Sequence, residues 1–598
     1  MEAKPRHRLP VLHLVHPQTK KFNQVMKRVR GLLSTNLQTT AWLEQIDIVA
    51  MQSGTPIATC DAKLIRRDQI TSRFWSEMAE PKKETSCLAF ELFDRYGRLK
   101  RQYYEHSFKR GSGVWGHELD GDDILLIENI GVKVKERRRG IGRRLVQAAL
   151  GGIVPKTSRF VALARPGILA LDVEYTDEYS TAESQARSER FFRSLGLRRV
   201  GNSRWFAFVD DSDHPSRQLK AAEDWDEPAD AHGPDSIFGT APEAYLSIID
   251  PESSGNEGVR KLHDSMPADA QHASWSAVDG QDDNWLHLAA THFKLEAVQY
   301  ILSRRPDLAT KRNRVGDTPL EALQAEMELM RARGFYPGRT VPGSDEFAGF
   351  EQSTIACIAA LSGSEVFNLD ELSPEDLNEI CLATEEDARQ NPKAELVGYT
   401  LRLRYGCTCG ECIGGFLSPR MLHALLCSAE VQYDIMMDSF HQSPNGPDWV
   451  EYNGEQVKFL PDPVLENLKT NKSMREGFIS TCGHIGACLN QKRIPNERNV
   501  LYIHQNETSQ WPPVTRNYLQ RGGTVAAVAL MIFEHAMEQD EYTGDGNHQA
   551  AFEDEIEKLP ECRNDHEFEF ASTLCGYKAI AAEDEYYIDI FGNPVSRR

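Results

Sequence analysis

Long apolar runs are missing from this chain. No stretch of 18 apolar residues occurs in the 598-residue sequence, which argues against a membrane-spanning helix. Cysteine is scarce: twelve residues are spread along the chain without a secretory context, as is typical of reduced thiols in a cytoplasmic or nuclear protein. The apolar fraction of 40% and the charged fraction of 26% are those of an ordinary globular protein.

Acidic residues are few at the front of the chain and abundant behind it. Residues 1–220 hold 38 Lys and Arg against 26 Asp and Glu, whereas the remaining residues hold 30 against 63. A basic front suits an anionic ligand such as a nucleotide diphosphate, and an acidic rear argues against nucleic-acid binding there. Two solvated surfaces of different composition that dock on each other explain the same asymmetry equally well.

Composition divides the chain into segments, and length alone predicts roughly four domains. The acidic stretch Glu223–Asp235 contains Pro and Gly and has no apolar periodicity, which indicates a linker. Ser373 and Pro374 are typical of a helix start. We expect a basic N-terminal extension over 1–41, an α/β domain over 42–210, an acidic linker over 211–240, helical repeats over 241–333, a connection containing Gly and Pro over 334–372, and an α-rich C-terminal region over 373–598.

A strand, a glycine-containing loop and a helix follow one another within Ile124–Leu150. The residues up to Val134 are apolar and β-branched, and the residues after Gly142 have helical spacing. Such a loop presents backbone N–H groups at a helix N-terminus, where the helix dipole favours a pyrophosphate. Gly140 and Gly142 remove the Cβ atoms from this approach, and the neighbouring arginines supply positive charge.

This segment resembles the acetyl-CoA signature of the GNAT acyltransferases, Arg/Gln-x-x-Gly-x-Gly/Ala after a strand. A second stretch, Ala186–Leu197, resembles the second signature helix of that family, and the likeness extends over about residues 42–210. Residues 82–104, in the middle of that span, match no pattern. The resemblance implies that the strand backbone at Ile130, Gly131 and Val132 pairs with the pantetheine arm of acetyl-CoA, and that the pyrophosphate is held by Arg137, Arg138, Arg139, Gly140, Ile141, Gly142 and Arg143.

Transfer of an acetyl group to an amine requires a base that removes the ammonium proton. Glu128 is our candidate, because strand alternation places it on the same side as Ile130 and Val132; a solvated or ion-paired strand residue is the plain alternative. The family's usual general acid is a tyrosine, and Phe192 occupies that position here. Either Tyr175, Tyr179 or a water protonates the leaving thiolate, or the domain has lost its activity.

Two copies of an ankyrin-like signature follow at a spacing of 34 residues. Asn284–Tyr300 is typical of a helix–turn–helix pair, and Thr318 begins the second copy as the N-cap of a helix whose first residue is Pro319. A degenerate earlier copy is expected around 258–277. The resemblance implies binding of another protein, and an intramolecular spacer is the alternative.

The C-terminal third contains a dense cysteine cluster, Cys407, Cys409 and Cys412, whose thiolates are suited to Zn²⁺ with a fourth ligand from elsewhere. No partner pair recurs at zinc-finger spacing, so a structural zinc is compatible with the sequence but is not favoured, and no metal ligand is assigned. Further candidates follow at His423, Cys427, Cys482, His484 and Cys488. The apolar run within Val525–Met537 is too short for a bilayer and predicts a buried core helix.

Together these patterns predict a multidomain protein: an α/β mixed sheet of the GNAT type, ankyrin-type helical repeats and an α-rich C-terminal region. The expected activity is acetyl-CoA-dependent N-acetylation of an unidentified amine, with a protein partner bound through the repeats and no membrane partner. The alternative is a non-catalytic interaction scaffold whose GNAT-like domain is a CoA-binding pseudoenzyme. The expected location is the cytoplasm or the nucleus.

Overall fold

The structure is a computed structural model whose described residues form two compact units, one up to residue 226 and one from residue 237 onward. The described residues are 41–70, 74–79, 81, 83–167, 179–226, 237–336, 339–342, 347–373, 391–442, 445–506, 511–539, 553–556, 558–577, 587–588 and 594–595. The predicted basic extension 1–41, apart from residue 41, and the helix predicted to start at Pro374 lie outside them.

The first unit is built on a six-stranded mixed sheet with the strand order β1-β2-β3-β4-β6-β5. The strands are β1 (Leu43–Gln52), β2 (Thr55–Ile65), β3 (Asp123–Val132), β4 (Phe160–Ala164), β5 (Arg198–Arg199) and β6 (Phe206–Val209). Only β3 and β4 run parallel to each other; every other neighbouring pair is antiparallel. β1 and β2 form a hairpin whose two-residue turn, Ser53 and Gly54, has positive φ at both positions.

The helices of the first unit are α1 (Phe74–Ala79), α2 (Lys83–Leu92), α3 (Ile141–Ile153), α4 (Tyr179–Ser194) and α5 (Pro215–Gln218). The apolar stripe of α3 predicted from the sequence, which includes Leu145, Val146 and Ala149, is buried against the sheet. Phe192 of α4 lies in the same core. These two helices therefore cover one face of the sheet at the parallel pair.

The stretch that matched no pattern, 82–104, forms α2 and a series of turns organised by Arg67. The Arg67 side chain is almost fully buried, and its guanidinium donates to the backbone carbonyls of Gly97, Leu119 and Asp120. Burial lowers the pKa of Arg67 to about 10, against the raising effect of nearby aspartates, chiefly Asp120. One buried cation thus ties together loops that are distant in sequence.

The predicted linker is shorter than its composition indicates. Asp224 is buried, and its carboxylate accepts from Arg193 Nε at 2.9 Å and from the backbone N–H of Arg199 at 3.3 Å. The carbonyl of Trp225 accepts a further bond from Arg193. Acidic composition misleads here because the arginines of α4 and β5 neutralise the charge, so residues up to 226 belong to the first unit.

Replacing Asp224 by alanine is expected to destabilise the first unit by about 3 kcal/mol, because Arg193 would lose its most buried carboxylate partner and keep a largely buried charge. Asp226 offers a matched control: it pairs with the same arginine at 3.1 Å but is 70% exposed, so Asp226→Ala should cost less than about 1 kcal/mol. Hydrogen exchange of the β6 amides measures both. Equal protection in the two variants would contradict this account of Asp224.

The second unit is mostly helical. Its helices are α6 (Ile237–Thr240), α7 (Pro242–Ile249), α8 (Gly255–Ser265), α9 (Trp285–Thr291), α10 (Leu295–Arg304), α11 (Pro319–Ala332), α12 (Gln352–Ser362), α13 (Pro392–Arg404), α14 (Pro419–Gln442), α15 (Gly446–Tyr452), α16 (Gly454–Val457), α17 (Asp462–Thr470), α18 (Lys472–Asn490), α19 (Glu497–Asn506), α20 (Val514–Gln520), α21 (Val525–Gln539), α22 (Glu553–Ile556) and α23 (Phe568–Leu574). Short hairpins join β7 (Arg333–Tyr336) to β8 (Arg339–Pro342) and β9 (Tyr587–Ile588) to β10 (Pro594–Val595).

The helix–turn–helix pair predicted at the first repeat is confirmed as α9 and α10. Asn284 caps α9 by accepting from the backbone N–H groups of Leu286 and His287, while the His287 ring accepts from Asn284 N at 3.2 Å. On its other side His287 Nε2 lies 2.8 Å from the carbonyl of Asp317. One buried imidazole therefore closes the cap of the first copy and links it to the start of the second.

Acidification is expected to loosen this link. The ring of His287 must be neutral, since Nδ1 accepts and Nε2 donates, and burial lowers its pKa despite the opposing charges of Asp317 and Asp283. A histidine whose folded pKa is lowered contributes fully above the unfolded value of about 6.5 and loses its contribution as the pH falls below that value. Exchange protection of α10 should therefore fall between pH 7 and pH 5 more steeply in the wild type than in His287→Gln, and identical profiles would refute the assignment.

The second copy begins as predicted and then departs from the first. Thr318 accepts from Glu321 N at 3.3 Å, and the Glu321 carboxylate accepts from Thr318 N at 2.8 Å, which confirms the N-cap. However, α11 runs unbroken for 14 residues and leads into the β7–β8 hairpin instead of a second helix. Ahead of the first copy, α7 and α8 form a helix pair that begins earlier than the expected 258–277.

The segment predicted as a connection, 334–372, contributes to the core shared by the helices of residues 237–332. Ile355, Cys357 and Ile358 of α12 are buried in the same cluster as Leu286 and Val298. The helix predicted at Val525–Met537 is confirmed as α21, and its apolar residues lie in the large core of the C-terminal helices. Among the described residues no helix is long and apolar enough to cross a membrane.

Candidate functional site

The parallel strands β3 and β4 separate partway along their length. Their pairing ends at Ile127 and Ala164, yet β3 continues to Val132 while hydrogen-bonded to β2 on its other side. In the described part of the chain no strand pairs with the β4 side of residues 129–132. This stretch of β3 therefore offers an open backbone edge inside a sheet, directly before the glycine loop.

The loop between β3 and α3 places backbone N–H groups without an intrahelical acceptor at the end of that open edge. Gly140 has φ +75° and stands as the N-cap of α3 without a side-chain cap, so the N–H groups of Ile141, Gly142 and Arg143 point out of the first turn. Gly140 is favoured here by its left-handed backbone and not by lack of space, since a Cβ there would meet nothing within 4 Å.

Gly142 serves a second purpose besides the one that the sequence indicates. A Cβ at this position would lie 3.2 Å from Cζ of Phe191 and 3.9 Å from Cγ2 of Val132. Gly142 therefore allows α3 to approach α4 and the end of β3, in addition to leaving the loop backbone accessible.

Several of the predicted arginines shape the loop itself. Arg137 Nε donates to the carbonyl of Val132 at 3.0 Å, Arg139 pairs with Glu136, and Arg143 donates to the carbonyl of Ser194 at 2.7 Å. Arg138 is exposed and has φ +63°. The predicted residues Ile130–Arg143 are thus brought together, in a strongly basic surface that contains one paired carboxylate.

Glu128 does not share a face with Ile130 and Val132, contrary to simple strand alternation. Between the pairs Ala62–Ile127 and Asp61–Asn129 the register shifts, so Glu128 has no residue opposite it on β2. This β-bulge turns Ile130 and Val132 toward the α3 side, where they pack on the core.

Glu128 lies on the other face, where its carboxylate Oε1 forms an ion pair with Lys63 Nζ. Both side chains are largely buried, with exposures of 11% for Glu128 and 2% for Lys63. The pairing was not readable from the sequence, because it depends on where β2 and β3 come into register. The sequence shows only that Lys63 interrupts the apolar end of β2, which hints at a buried charge in need of a partner without naming that partner.

The structure assigns no general acid among the residues that the sequence offered for that role. Phe192 is buried in the core and has no hydroxyl group. Tyr175 lies outside the described residues, and Tyr179 is the first residue of α4. Among the described tyrosines, none is assigned as the acid that protonates the leaving thiolate.

A second site lies in the C-terminal region, where Cys407, Cys409, Cys412 and Cys562 could hold a metal ion. Their sulfur atoms lie within 4.8 Å of one another, and two of the residues are buried. The sequence indicated the first three but not Cys562, which is 150 residues away from Cys412 and stands alone. The expectation that no metal ligand could be assigned is therefore corrected for these four residues.

The other candidates for metal ligands remain apart from this cluster. His423 and Cys427, one turn apart on α14, lie 3.6 Å from each other. His484 faces Thr515 at 3.2 Å, and Cys482 and Cys488 are buried among apolar side chains. Among the described residues only the four-cysteine group brings ligand atoms together in this way.

The comparisons with known proteins add no relative. The chain matches no protein family, no curated protein and no solved structure.

Proposed function

We propose that the first unit is an acetyl-CoA-dependent N-acyltransferase and that the helical repeats of the second unit recruit a protein partner. The observation that carries this proposal is the separation of β3 from β4, which opens a backbone edge at residues 129–132 directly before a basic glycine loop. A thioester cofactor with a peptide-like arm and a pyrophosphate needs these two features side by side.

The pantetheine arm has amide groups that can pair with a strand edge. The backbone of Ile130, Gly131 and Val132 would receive it, since β2 occupies only the opposite side of β3. Gly131 carries no side chain over this edge, so the arm can approach closely.

The pyrophosphate would lie at the first turn of α3. The N–H groups of Ile141, Gly142 and Arg143 have no acceptor within the helix, and the helix dipole adds a partial positive charge. Arg138 and Arg139 add formal positive charge at the same end, which favours an anion of several charges.

The reaction requires the acceptor nitrogen to attack the thioester carbonyl carbon, after which the C–S bond breaks and CoA leaves as the thiolate. The acceptor must first lose its ammonium proton, and Glu128 is the residue we propose to take it. Lys63 holds one oxygen of this carboxylate, so it would act as a positioning residue that keeps Glu128 on the sheet face opposite α3. Thiolate departure at neutral pH does not require a tyrosine acid.

The ion pair also favours a second candidate function, a CoA-binding module without catalysis. Glu128 is already neutralised by Lys63, and Phe192 replaces the tyrosine of the resembled family. In this case the domain would bind CoA without turning over a substrate. Protein partners of the repeats would respond to its CoA-bound state.

Titration of acetyl-CoA into the full-length protein, with thiol release followed in the same cell, distinguishes the two functions. Saturable binding with release of CoA in the presence of lysine peptides or polyamines would support the enzyme. Binding without release across an amine panel would support the non-catalytic module, and absence of binding would refute both. Glu128→Gln, which keeps the shape of the side chain, should bind acetyl-CoA normally and release thiol at least about 100-fold more slowly if Glu128 is the base.

A further inference from the structure

We propose that Cys407, Cys409, Cys412 and Cys562 bind a single Zn²⁺ ion that fastens the C-terminal segment, residues 558–577, to the cysteine turn, residues 407–412. This site is independent of the acyltransferase proposal, since it lies wholly in the second unit. It gives a structural role to a cluster for which the described chain offers no other explanation.

The sulfur–sulfur distances fit one tetrahedral ion. Four of the six distances are 3.6 Å for Cys407–Cys409, 3.8 Å for Cys409–Cys412, 3.4 Å for Cys412–Cys562 and 3.9 Å for Cys562–Cys407. The other two are no longer than 4.8 Å. Four sulfurs at the Zn–S distance of about 2.3 Å stand at the corners of a tetrahedron with edges of about 3.8 Å. Two sulfurs joined in a disulfide would lie about 2 Å apart, so these four thiols are unpaired.

The local backbone is shaped to aim the four sulfurs inward. Gly410 has φ +78°, a conformation that lets the turn reverse between Cys409 and Cys412. The N–H of Glu411 donates to the sulfur of Cys409 at 3.3 Å, and the buried side chain of Asn564 donates to the sulfur of Cys412 at 3.7 Å. Such donors offset the negative charge that four thiolates carry around a divalent ion.

Four thiolates whose sulfur atoms lie within 4.8 Å of one another repel as like charges. A divalent cation at the centre offsets this repulsion, because it attracts all four thiolates together.

Four sulfurs and no histidine or carboxylate select a soft ion. Tetrahedral sulfur sites hold zinc or iron, and sulfur atoms that all lie within 4.8 Å of one another leave room for one ion. Zn²⁺ is the choice for a site that joins distant segments and shows no open coordination position, since a closed tetrahedral site is structural.

Charged side chains continue the connection into the repeats. Arg563, next to Cys562, donates through Nε to both carboxylate oxygens of Glu328 on α11 at 2.8 Å and also pairs with Glu567. Arg331 of the same helix donates to the carbonyl of Tyr405 at 3.1 Å, just ahead of the cysteine turn. The ion would therefore sit where the end of the repeat stack, the cysteine turn and the C-terminal segment meet.

The test is the metal content of the full-length protein purified without chelators. We expect about one zinc per chain in the wild type, and less than about a tenth of that in Cys562→Ser, which removes the ligand contributed by the distant segment. Cys575→Ser is the matched control, because it removes a buried thiol from the same segment outside the cluster, and it should retain full zinc.

A wild-type protein with clearly substoichiometric zinc, or with stoichiometric iron, would overturn the assignment, as would full zinc retention by Cys562→Ser. If Cys562→Ser fails to fold, thiol modification of the wild type by an organomercurial decides: titration should release one zinc per chain, and release of none would overturn the proposal. Neither outcome of the zinc test affects acetyl-CoA binding by the first unit. Failure of the zinc proposal is therefore distinguishable from failure of the acyltransferase proposal.

Discussion

Replacing Gly142 by valine is expected to abolish acetyl-CoA binding, with a loss of affinity of at least about 100-fold, or about 2.7 kcal/mol. A Cβ at this position already lies 3.2 Å from the ring of Phe191 and 3.9 Å from Val132, and valine adds two further methyl groups. The start of α3 would have to move away from β3, and its N–H groups would no longer converge on the pyrophosphate. Isothermal titration calorimetry measures the affinity.

Gly151 provides the control on the same helix. A Cβ there would meet nothing within 4 Å, and the residue is exposed, so Gly151→Val should leave acetyl-CoA affinity unchanged. Exchange protection of β4 and β6 in both variants shows whether the sheet is intact. Undiminished affinity of a folded Gly142→Val would contradict the assignment of the loop.

Removal of the proposed zinc is expected to lower the melting temperature of the second unit by roughly 4–8 °C. An ion that binds only the folded state at 1,000 times its dissociation constant contributes about 4 kcal/mol, and about 1 kcal/mol shifts a unit of this size by roughly 1–2 °C. Chelated protein should also lose exchange protection in residues 558–577, whereas the first unit keeps its own. Calorimetry with and without chelator measures the shift, and stoichiometric Zn²⁺ should reverse it.

An unchanged melting temperature in metal-free protein would show that the helices around Met421 and Phe570 hold the segment without an ion. A lowered temperature that zinc does not restore, together with oxidised thiols, would show that the metal-free state is trapped by disulfides. Addition of a reductant before zinc separates that outcome from a true loss of the site.

Local patterns predicted several elements of this fold, and long-range register did not follow from them. The strand–loop–helix of β3 and α3 and the cap at Thr318 were predicted, because each is encoded by neighbouring residues. The apolar helix α21 was predicted for the same reason.

Features that depend on distant partners were missed. Alternation predicted the wrong face for Glu128, because a bulge against β2 shifts the phase of β3. Composition predicted a linker at Asp224, because a count of charges does not show that Arg193 lies opposite it. Cys562 carried no signal of its own, since a single cysteine has no spacing pattern.

The separation between Cys412 and Cys562 has a consequence during synthesis of the chain. At about 5–20 residues per second, a ribosome needs roughly 8–30 s to extend the chain by the 150 residues from Cys412 to Cys562. Throughout that interval the nascent chain carries three of the four thiols without the fourth, and oxidants or a loosely held ion compete for them. Newly made protein should consequently depend on a reducing environment in a way that the finished protein does not.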